Sequence, residues 1–387
     1  MKIAMLGQKG IPTAFGGIER HVEELSTRLA NRGHEVVVYC RPWYCQASSL
    51  KPQASSNLKL VSTASLKLKN LDAISHTFFS SLHAILKERP DVYHYHGVGP
   101  ALLAFLPRIF RPRARVIVTF HCIDRKHQKW SLFARIMLRL GEWAACRFAH
   151  RTITVSRTLS QYCRDVYETD TVYIPNGISE HGIADPSLLK RFDLAPDGYI
   201  AMVSRLVRHK GAHYLVEACN IIREERPELI QNKKLAIVGD SAFTDEYVQS
   251  LKGMAEGNPS IVFTGYQSGA MLEALFSGAS FIVHPSESEG LPIAVLEAMS
   301  YGKVVLASDI PENREVVADH GFQFPSGDIV VLKEKIIDLL EHQDQLEKLG
   351  AEARTFVLRE YHWDDIATQV ESLYKQLAIK TLATQSA

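Results

Sequence analysis

The sequence predicts an α/β protein that contains two doubly wound parallel sheets, one after the other along the chain. Short apolar or β-branched runs alternate with helical stretches along most of the 387 residues, as in parallel sheets flanked by helices. Polar residues after Asn176-Gly177 interrupt this alternation, and a second series of runs follows. The length also exceeds that of one ordinary core and suggests two units of roughly 180 residues. We therefore expect two Rossmann-like domains, with the strand ends of both converging on a central cleft.

Each predicted strand is short and is followed by a turn or a helix. In the first half, the predicted strands cover 2–6, 34–40, 91–95, 115–120, 152–155 and 172–174, with helices at 18–31, 72–87 and 130–148. In the second half, the predicted strands cover 199–203, 235–238, 261–263, 281–283, 304–307 and 322–324. These runs predict a first domain over 1–178, a linker over 179–198 and a second domain over 199–362.

The composition is that of an ordinary globular protein, with 46% hydrophobic and 22% charged residues. The formal net charge of +1 gives no bulk attraction to nucleic acid. The six cysteines show no C-x-x-C spacing, which argues against a zinc site or a disulfide scaffold and favours a reduced, cytoplasmic compartment. The N-terminal run predicts a strand rather than a secretory signal, and no apolar run approaches the ~20 residues of a membrane span. We expect a soluble or peripherally attached protein.

Two glutamates stand eight positions apart in the segment 284–299, across a turn that opens a helix. The unpaired N–H groups at that helix start, around Gly290 and Leu291, favour an anion such as a diphosphate. Glu297 lies about two turns into the predicted helix, where it can accept hydrogen bonds from ribose hydroxyls. Glu289 lies on the turn itself, where a sugar attached to the diphosphate would be found. The structural alternative is an acidic first turn followed by a solvated glutamate.

A second cluster, 201–211, contains a strand that ends in a basic loop before a new helix begins near Gly211. Arg205 and Lys210 are cations at the exit of this strand. A leaving nucleoside diphosphate needs such charge, because negative charge builds on the bridging oxygen as the glycosidic bond breaks. An ordinary basic surface loop is the alternative interpretation.

The loop after the first strand is rich in glycine, although it contains no G-x-G-x-x-G pattern. Gly16 and Gly17 precede a predicted helix that starts at Ile18. Glycine removes the Cβ obstacle and lets backbone N–H groups approach a phosphate or a sugar. The four glycines of 7–17 also fit a merely flexible turn.

These pieces together resemble the retaining GT-B glycosyltransferases of family four over nearly the whole chain. The N-terminal run, together with 34–41, is most similar to bacterial polysaccharide transferases of the rhamnosyl type. The runs that carry the resemblance are 7–20, 118–121, 174–177 and 204–211, together with Glu289 and Glu297-Ala298-Met299.

The resemblance implies a nucleoside-diphosphate sugar donor and a glycan acceptor. It places the Gly16-Gly17 loop on the cleft beside the donor diphosphate, and the last helix, within 363–387, back on the first domain. It also implies that the position of Glu289 contacts sugar hydroxyls from the wrong side to act as a nucleophile. We therefore expect front-face substitution, with the diphosphate held by Arg205 and Lys210 and accepting the acceptor proton. No metal or organic cofactor is needed for this step.

His121 ends the fourth predicted strand, at the edge of the sheet where α/β proteins bind ligands. The resemblance places it against the donor sugar or near the acceptor, whereas a lone histidine after an apolar strand is often structural. His94 and His96 are rival candidates. Metal binding is not expected, because the chain contains neither H-E-x-x-H nor the D-x-D spacing of metal-dependent transferases.

Other enzyme classes remain as alternatives. A nicotinamide-dependent oxidoreductase should show G-x-G-x-x-G and an acidic residue near the end of the second strand, which here ends at Cys40-Arg41. A GT-B phosphorylase would need a pyridoxal lysine that the sequence does not identify. A GT-B epimerase, or a catalytically silent nucleotide-sugar sensor, would keep the same binding site.

The segment 108–151 carries eleven basic residues against two acidic ones, a formal charge of +9 that leaves −8 for the rest of the chain. Apolar residues recur within it at helical spacing. They fit either a core helix with snorkelling arginines or a peripheral contact with anionic lipid at the inner face of the cell membrane. The excess of arginine favours the lipid contact, and the acceptor is then a polyprenyl-linked glycan. The apolar residues are Trp130, Leu132, Phe133, Ile136, Met137, Leu140, Trp143 and Phe148.

Overall fold

A computed structural model describes residues 1–12, 16–44, 56–68, 71–126, 131–182, 184–242 and 244–383, with only the backbone described at 126 and 380–383. The chain divides into two compact units. The first combines Met1–Gly177 with Trp363–Ala387, and the second is Ile178–His362.

The first unit contains a seven-stranded sheet in which every pair of neighbouring strands is parallel. Its strand order is β3-β2-β1-β4-β5-β6-β7. The strands are β1 Lys2–Leu6, β2 Glu35–Cys40, β3 Leu58–Ser62, β4 Val92–His96, β5 Arg115–Phe120, β6 Arg151–Thr154 and β7 Val172–Tyr173. The helices are α1 Gly17–Asn31, α2 Asp72–His83 with a π-helical turn at Ala84–Glu88, α3 Val98–Ala101, α4 Phe105–Phe110, α5 Leu132–Phe148, α6 Arg157–Tyr167 and, from the end of the chain, α15 Trp363–Ala383.

The second unit contains a six-stranded parallel sheet with the order β10-β9-β8-β11-β12-β13. Its strands are β8 Tyr199–Val203, β9 Lys234–Val238, β10 Ile261–Gly265, β11 Phe281–His284, β12 Val305–Ser308 and β13 Phe322–Phe324. Its helices are α7 Ala212–Glu225, α8 Pro227–Ile230, α9 Asp245–Met254, α10 Gly269–Ser277, α11 Ile293–Ser300, α12 Pro311–Val317, α13 Ile329–Glu341 and α14 Leu346–Glu360. The prediction of two Rossmann-like halves with parallel sheets is therefore confirmed.

One strand of the first sheet was not predicted. β3 lies at the sheet edge beside β2, and each of its residues keeps part of its surface exposed. Its sequence, Leu58-Lys59-Leu60-Val61-Ser62, lacks the continuous apolar run that marks the buried central strands. This extra strand makes His96 the last residue of the fourth strand, and His121 follows the fifth.

The last helix, α15, completes the core of the first unit. Trp363, Ile366, Val370 and Tyr374 are buried with side chains of β1, β2 and α1. Polar contacts add to this packing, since the guanidinium Nε of Arg115 donates to the Leu377 carbonyl at 3.0 Å.

The segment 179–198, which the sequence marks as a linker, belongs to the second unit. It contains a 3₁₀ helix at Pro186–Phe192, and the side chain of Leu189 is fully buried. The Asp185 carboxylate accepts a hydrogen bond from the Ser187 N–H at 2.9 Å and caps this helix. The polar composition therefore reflects capping and turn residues on a packed segment.

Helix α5 turns its small residues inwards. Gly141, Ala144 and Ala145 are buried, and a Cβ on Gly141 would overlap the carbonyl oxygen of Val98 in α3. Five large apolar side chains of α5 point to solvent instead, with Leu132 76% exposed. Among the described residues, no helix is both long enough and apolar enough to cross a membrane.

We predict that Gly141→Ala destabilises the first unit by about 1–3 kcal/mol, because the new methyl group meets backbone atoms that cannot move aside as a side chain would. Gly253→Ala is the matched control. This glycine also lies in a helix, and a Cβ there meets no atom within 4 Å. The control should be neutral or stabilising by up to about 1 kcal/mol. Urea denaturation of both variants measures the difference, and equal stabilities would contradict the close α3–α5 packing.

Candidate active site

Each sheet changes winding direction between two neighbouring strands. In the second unit this switch lies between β8 and β11, and in the first between β1 and β4. Connections leave such a pair in opposite directions, so a crevice opens at the carboxyl ends of the strands. The residues singled out by the sequence follow β8 and β11 in one unit, and β1 and β5 in the other.

In the second unit, the loop after β8 packs closely on its neighbours. Gly211 has φ +74° and lies so near the Pro285 carbonyl oxygen that a Cβ would overlap it. Gly239, after β9, approaches the Ser204 carbonyl in the same way. The N–H of Glu287 donates to the His209 carbonyl at 2.8 Å and joins the loop after β8 to the loop after β11. Glycine is needed at these two positions because any side chain would push the loops apart.

The centre of this site is an ion pair between Lys210 and Glu289. Lys210 Nζ lies 2.5 Å from Glu289 Oε1, and both side chains are largely buried. Two further groups meet the same oxygen: His284 Nε2 at 2.8 Å and the hydroxyl of Ser286 at 2.7 Å. The sequence placed Lys210 and Glu289 in one site without predicting that they pair. It also missed His284, the last residue of β11, and Ser286 in the loop that follows, although both stand in the segment 284–299 with Glu289.

The environment keeps Glu289 ionised. Burial alone would raise its pKa, but the Lys210 ammonium and the hydrogen bond from His284 outweigh it and hold the pKa well below its usual range. Among the described residues, none donates a hydrogen bond to the second oxygen, Oε2. One oxygen of the carboxylate is therefore held by the protein, and the other accepts no hydrogen bond from the described residues.

A second layer of hydrogen bonds fixes this arrangement. The buried Ser308 hydroxyl donates to the Ser286 carbonyl, and the Asn313 amide donates to Ser308 Oγ at 2.9 Å. On the other side, the Tyr214 hydroxyl donates to Glu287 Oε1 at 2.5 Å. These contacts tie the loop after β11 to β12, α12 and α7, so the position of Glu289 is set by rigid elements.

Helix α11 begins directly after this loop. Gly290 and Leu291 are buried just before its first turn, as the sequence predicts. The helix starts at Ile293, so Glu297 is its fifth residue and lies little more than one turn in, closer to the start than the two turns expected. Its side chain is 8% exposed, which argues against the interpretation of a solvated helix glutamate.

Arg205 differs from Lys210 in its surroundings. It is exposed, and its guanidinium forms no ion pair or hydrogen bond with any residue in the described ranges. Lys210, in contrast, is held by Glu289. The loop therefore contains a cation that is fixed and neutralised, Lys210, and a cation without an internal counter-charge among the described residues, Arg205.

In the first unit, Gly7 and Gly16 both have positive φ angles, +101° and +109°. A Cβ on Gly7 would lie 2.7 Å from Pro100 atoms, so the loop after β1 packs directly on α3. Gly16 precedes α1, and Gly17 is its first residue. The buried Glu19 carboxylate accepts a hydrogen bond from the Lys9 N–H at 3.1 Å and joins the two ends of the loop. Thr13 to Phe15 lie outside the described residues.

His121 belongs to a buried cluster with His21 and His96. His96 Nδ1 lies 3.3 Å from His121 Nε2, and the rings of His21 and His121 are 5.0 Å apart. His21 Nδ1 lies 2.9 Å from the side-chain Oδ1 of Asn176, while its Nε2 is buried without a partner among the described atoms. The sequence did not single out His21, because it lies on α1 far from the strand ends in the chain.

The rival candidate His94 has a structural role. Its two ring nitrogens lie 2.6 Å from the Tyr374 hydroxyl and 2.7 Å from the Thr119 hydroxyl. Both are therefore occupied by contacts that join β4 to β5 and to α15. His121 and His96 remain the candidates for contact with a ligand.

The cluster is uncharged at neutral pH. Burial lowers the pKa of His21 to about 4 despite the hydrogen bond with Asn176, and burial with repulsion from His21 lowers the pKa of His94 to about 3. Burial and mutual repulsion also lower the pKa values of His96 and His121 well below the usual range. One nitrogen from each of His21, His96 and His121 lies within 4.8 Å of the others, a spacing at which neutral imidazoles can also hold a metal ion.

Two family models match the chain, one in each half. The glycosyltransferase family 4 model matches residues 15–181, and the model for glycosyl transferases group 1 matches residues 190–356.

Relatives align over nearly the full chain. The O-antigen chain mannosyltransferase C of Escherichia coli is 24% identical and covers 97% of this chain and 99% of its own length. A phosphatidyl-myo-inositol mannosyltransferase of Mycobacterium leprae is 25% identical, with 98% and 97% covered.

Solved structures share the fold. A sucrose-phosphate synthase from Thermosynechococcus elongatus superimposes with a TM-score of 0.81 at 22% identity, covering 97% of this chain and 98% of that one. Anabaena HepE, solved in complex with UDP-glucose, superimposes with a TM-score of 0.78 at 19% identity, covering 97% and 100%. With both halves matched by glycosyltransferase models, the chain belongs to the glycosyltransferases of the GT-B type.

We predict that Lys210 and Glu289 are strongly coupled. Lys210→Met or Glu289→Gln alone leaves the other group buried without its counter-charge, which should cost roughly 1–3 kcal/mol of unfolding free energy. The double variant should cost less than the sum by about 0.5–3 kcal/mol. The exposed pair Arg164–Asp170, at 3.2 Å, provides a control cycle and should give only a few tenths of a kcal/mol. Additive effects in the Lys210–Glu289 cycle would show that the pair is not formed in solution.

We predict that the buried histidines make the first unit sensitive to acid. In the unfolded chain a histidine binds a proton near pH 6.5, whereas in the folded protein burial lowers the pKa of His21 to about 4 and the pKa values of His96 and His121 well below the usual range. Stability contributed by this difference is complete above pH 6.5 and is lost as the pH falls towards 4, by up to about 1.4 kcal/mol per pH unit for each ring. His21→Gln should make the decline shallower between pH 6.5 and 4.5, measured by urea denaturation. His342→Gln, at an exposed position, should not make the decline shallower, because the hydrogen bonds of His342 with Asp338 raise its pKa rather than lower it.

Proposed function

We propose that this protein transfers a sugar from a nucleoside-diphosphate sugar to a glycan or lipid-linked acceptor, with retention of anomeric configuration and without a metal ion. The observation that carries the proposal is the site at the switch point of the second unit. There a fixed carboxylate, an uncommitted arginine and a helix start meet on neighbouring loops. A donor of this kind presents sugar hydroxyls, a diphosphate and a ribose, and each has a matching group.

The diphosphate is assigned to Arg205 and to the N–H groups at the start of α11, around Gly290 and Leu291. Arg205 has no internal counter-charge among the described residues, so a bound anion would not have to break an existing ion pair. Lys210 adds positive charge beside it, although Glu289 neutralises part of that charge before the donor binds. The same cations lower the barrier when negative charge builds on the leaving diphosphate.

The two glutamates are assigned to different parts of the donor. Oε1 of Glu289 is held by three protein groups, which leaves Oε2 to accept hydrogen bonds from sugar hydroxyls. Glu297 is assigned to the ribose hydroxyls. On the first unit, the Gly16-Gly17 loop is assigned to the diphosphate side of the donor and His121 to the sugar or the acceptor. These assignments are consistent with HepE having been solved with UDP-glucose.

The contacts of Glu289 favour front-face substitution over a covalent intermediate. A nucleophilic carboxylate needs a basic oxygen, but the Lys210 and His284 contacts hold the pKa of Glu289 well below its usual range. We therefore propose that the acceptor hydroxyl attacks the anomeric carbon from the face of the leaving group. The new glycosidic C–O bond forms as the sugar–phosphate C–O bond breaks. The departing diphosphate takes the acceptor proton.

The acceptor is proposed to be a growing cell-surface polysaccharide carried on a polyprenyl lipid, and the transferred sugar a rhamnose or another hexose. Relatives named as O-antigen chain and phosphatidyl-myo-inositol mannosyltransferases support this class of acceptor. The reaction would then take place on the cytoplasmic side of the cell membrane, with the protein attached peripherally through the basic segment 108–151.

A release assay for nucleoside diphosphate, run with UDP-, GDP-, ADP- and dTDP-sugars and 1 mM EDTA or Zn²⁺, tests the proposal. Arg205→Ala should lower kcat for the preferred donor by about two to three orders of magnitude, equivalent to ~3–4 kcal/mol of transition-state stabilisation. Lys252→Ala, an exposed cation elsewhere in this unit, should leave kcat unchanged. Arg205→Ala activity within threefold of the parent would overturn the assignment. Donor binding without release would indicate a sensor, and activity lost in EDTA and restored by Zn²⁺ would indicate a metal-dependent reaction.

A further inference from the structure

Helix α5 of the first unit presents an unusual outer face. Five large apolar side chains on it are between 46% and 76% exposed, and three arginines lie among them. None of the three arginines forms an ion pair within the described part of the chain, and the outer face contains no acidic residue. The outer face of α5 consists of Leu132, Phe133, Arg135, Ile136, Arg139, Leu140, Trp143 and Arg147.

The arrangement follows helical geometry. At 100° per residue, the five apolar side chains form one stripe about 100° wide, and Arg135 and Arg139 form a row along one flank. The opposite side of the helix packs through Gly141, Ala144 and Ala145, so the stripe is not turned inwards. A core helix with snorkelling arginines, one of the two interpretations of the sequence, is therefore wrong for α5.

Helix α4 extends the surface. It contacts α5 through Phe105 and Phe148, whose rings are 5.9 Å apart. Its last turn exposes Ile109 and Phe110, each 63% accessible, beside the exposed Arg108. The combination of large apolar groups with adjacent cations is repeated there.

We infer that the outer face of α5, with the end of α4, docks on the surface of an anionic lipid bilayer, the apolar stripe entering the boundary between headgroups and acyl chains. Such a face buries its apolar side some 5–10 Å deep while its cations pair with lipid phosphates. The inference rests on the proposed function in one respect only, because a lipid-linked acceptor gives this surface its use.

Other occupants fit the surface less well. A second copy of the chain in a two-fold contact would bring its own unpaired arginines against these. An acidic glycan would satisfy the arginines but would leave five large apolar side chains in water. A bilayer with anionic headgroups satisfies both parts of the face.

Not every cation of the basic segment belongs to this surface. Arg125 forms an ion pair at 3.1 Å with Glu142, a fully buried carboxylate that also accepts hydrogen bonds from Tyr162 and Tyr167. Arg125 therefore serves the fold. Lys129 and Trp130 lie outside the described residues, as does the side chain of Lys126.

Vesicle co-sedimentation separates the apolar and charged contributions. The full-length protein is mixed with vesicles of phosphatidylcholine alone or with 30% phosphatidylglycerol, at 0.1 M and 1 M NaCl. The parent should bind the anionic vesicles at least tenfold better than neutral ones at 0.1 M salt, and the difference should shrink at 1 M, where the Debye length falls from about 10 Å to about 3 Å.

Two double variants separate the apolar from the charged contribution of the outer face of α5. Phe133→Ser with Ile136→Ser should lower binding at least tenfold at both salt concentrations, because the loss of apolar insertion is not screened. Arg135→Gln with Arg139→Gln should lower it by a similar factor at 0.1 M and have little effect at 1 M. Val330→Ser with Lys348→Gln, on exposed positions of the second unit, is the matched control and should bind like the parent. Circular dichroism and urea denaturation establish that each variant is folded.

Three results would overturn the inference. The first is equal binding to neutral and anionic vesicles that the arginine variant does not change. The second is a parent dimer, seen by light scattering, that the Phe133/Ile136 variant converts to monomer without any effect on vesicle binding. The third is binding to dextran sulfate with no binding to vesicles.

The proposed function is tested separately by the release of nucleoside diphosphate from the donor in the absence of vesicles. The vesicle-binding variants should keep this release, since none of their substitutions lies on the loops that hold the donor groups. If the protein binds vesicles but releases no nucleoside diphosphate, the lipid-binding inference stands and the transferase proposal is contradicted.

Discussion

The constraint on which the rest of this structure depends is the change of winding direction inside each all-parallel sheet. All strand ends of one polarity meet at one edge, and the connections diverge at β1/β4 and at β8/β11. The backbone must then pack loops tightly beside the crevice, which explains the need for glycine at Gly7, Gly211 and Gly239. Chemistry can be built at these edges without disturbing either core, since the core side chains lie between the sheets and their helices.

The two crevices differ in electrostatic character. In the second unit the polar groups are charged. Lys210 and Glu289 form an ion pair, and Arg205 is exposed on the same loop as Lys210. In the first unit the polar groups are neutral imidazoles, because burial makes protonation of His96 and His121 unfavourable. A charged crevice suits an anionic ligand, and a neutral one suits hydroxyl-bearing ligands that donate and accept hydrogen bonds.

The strands of both sheets could be predicted largely from the sequence, because buried parallel strands are short continuous apolar runs between turn residues. The edge strand Leu58–Ser62 could not, since a half-exposed strand lacks such a run. The candidate site residues next to strand ends could be found because the strands themselves could be located. His21 was missed because only the tertiary fold brings α1 to β4. The sequence also did not predict whether the apolar stripe of α5 faces the core or the solvent, since this depends on whether large or small residues fit against α3.

The second unit is inserted into the first, because the chain returns at Trp363 to complete the core that it left at Gly177. The first unit is therefore discontinuous in sequence, while Ile178–His362 is a single stretch with two junctions. A chimaera that exchanges the second unit between relatives therefore needs two junctions, one near residue 178 and one near residue 362. A fusion with a single junction at residue 178 would separate α15 from the rest of the first unit. The contact between Tyr374 and His94 would be lost, and the apolar side chains that α15 covers would be exposed.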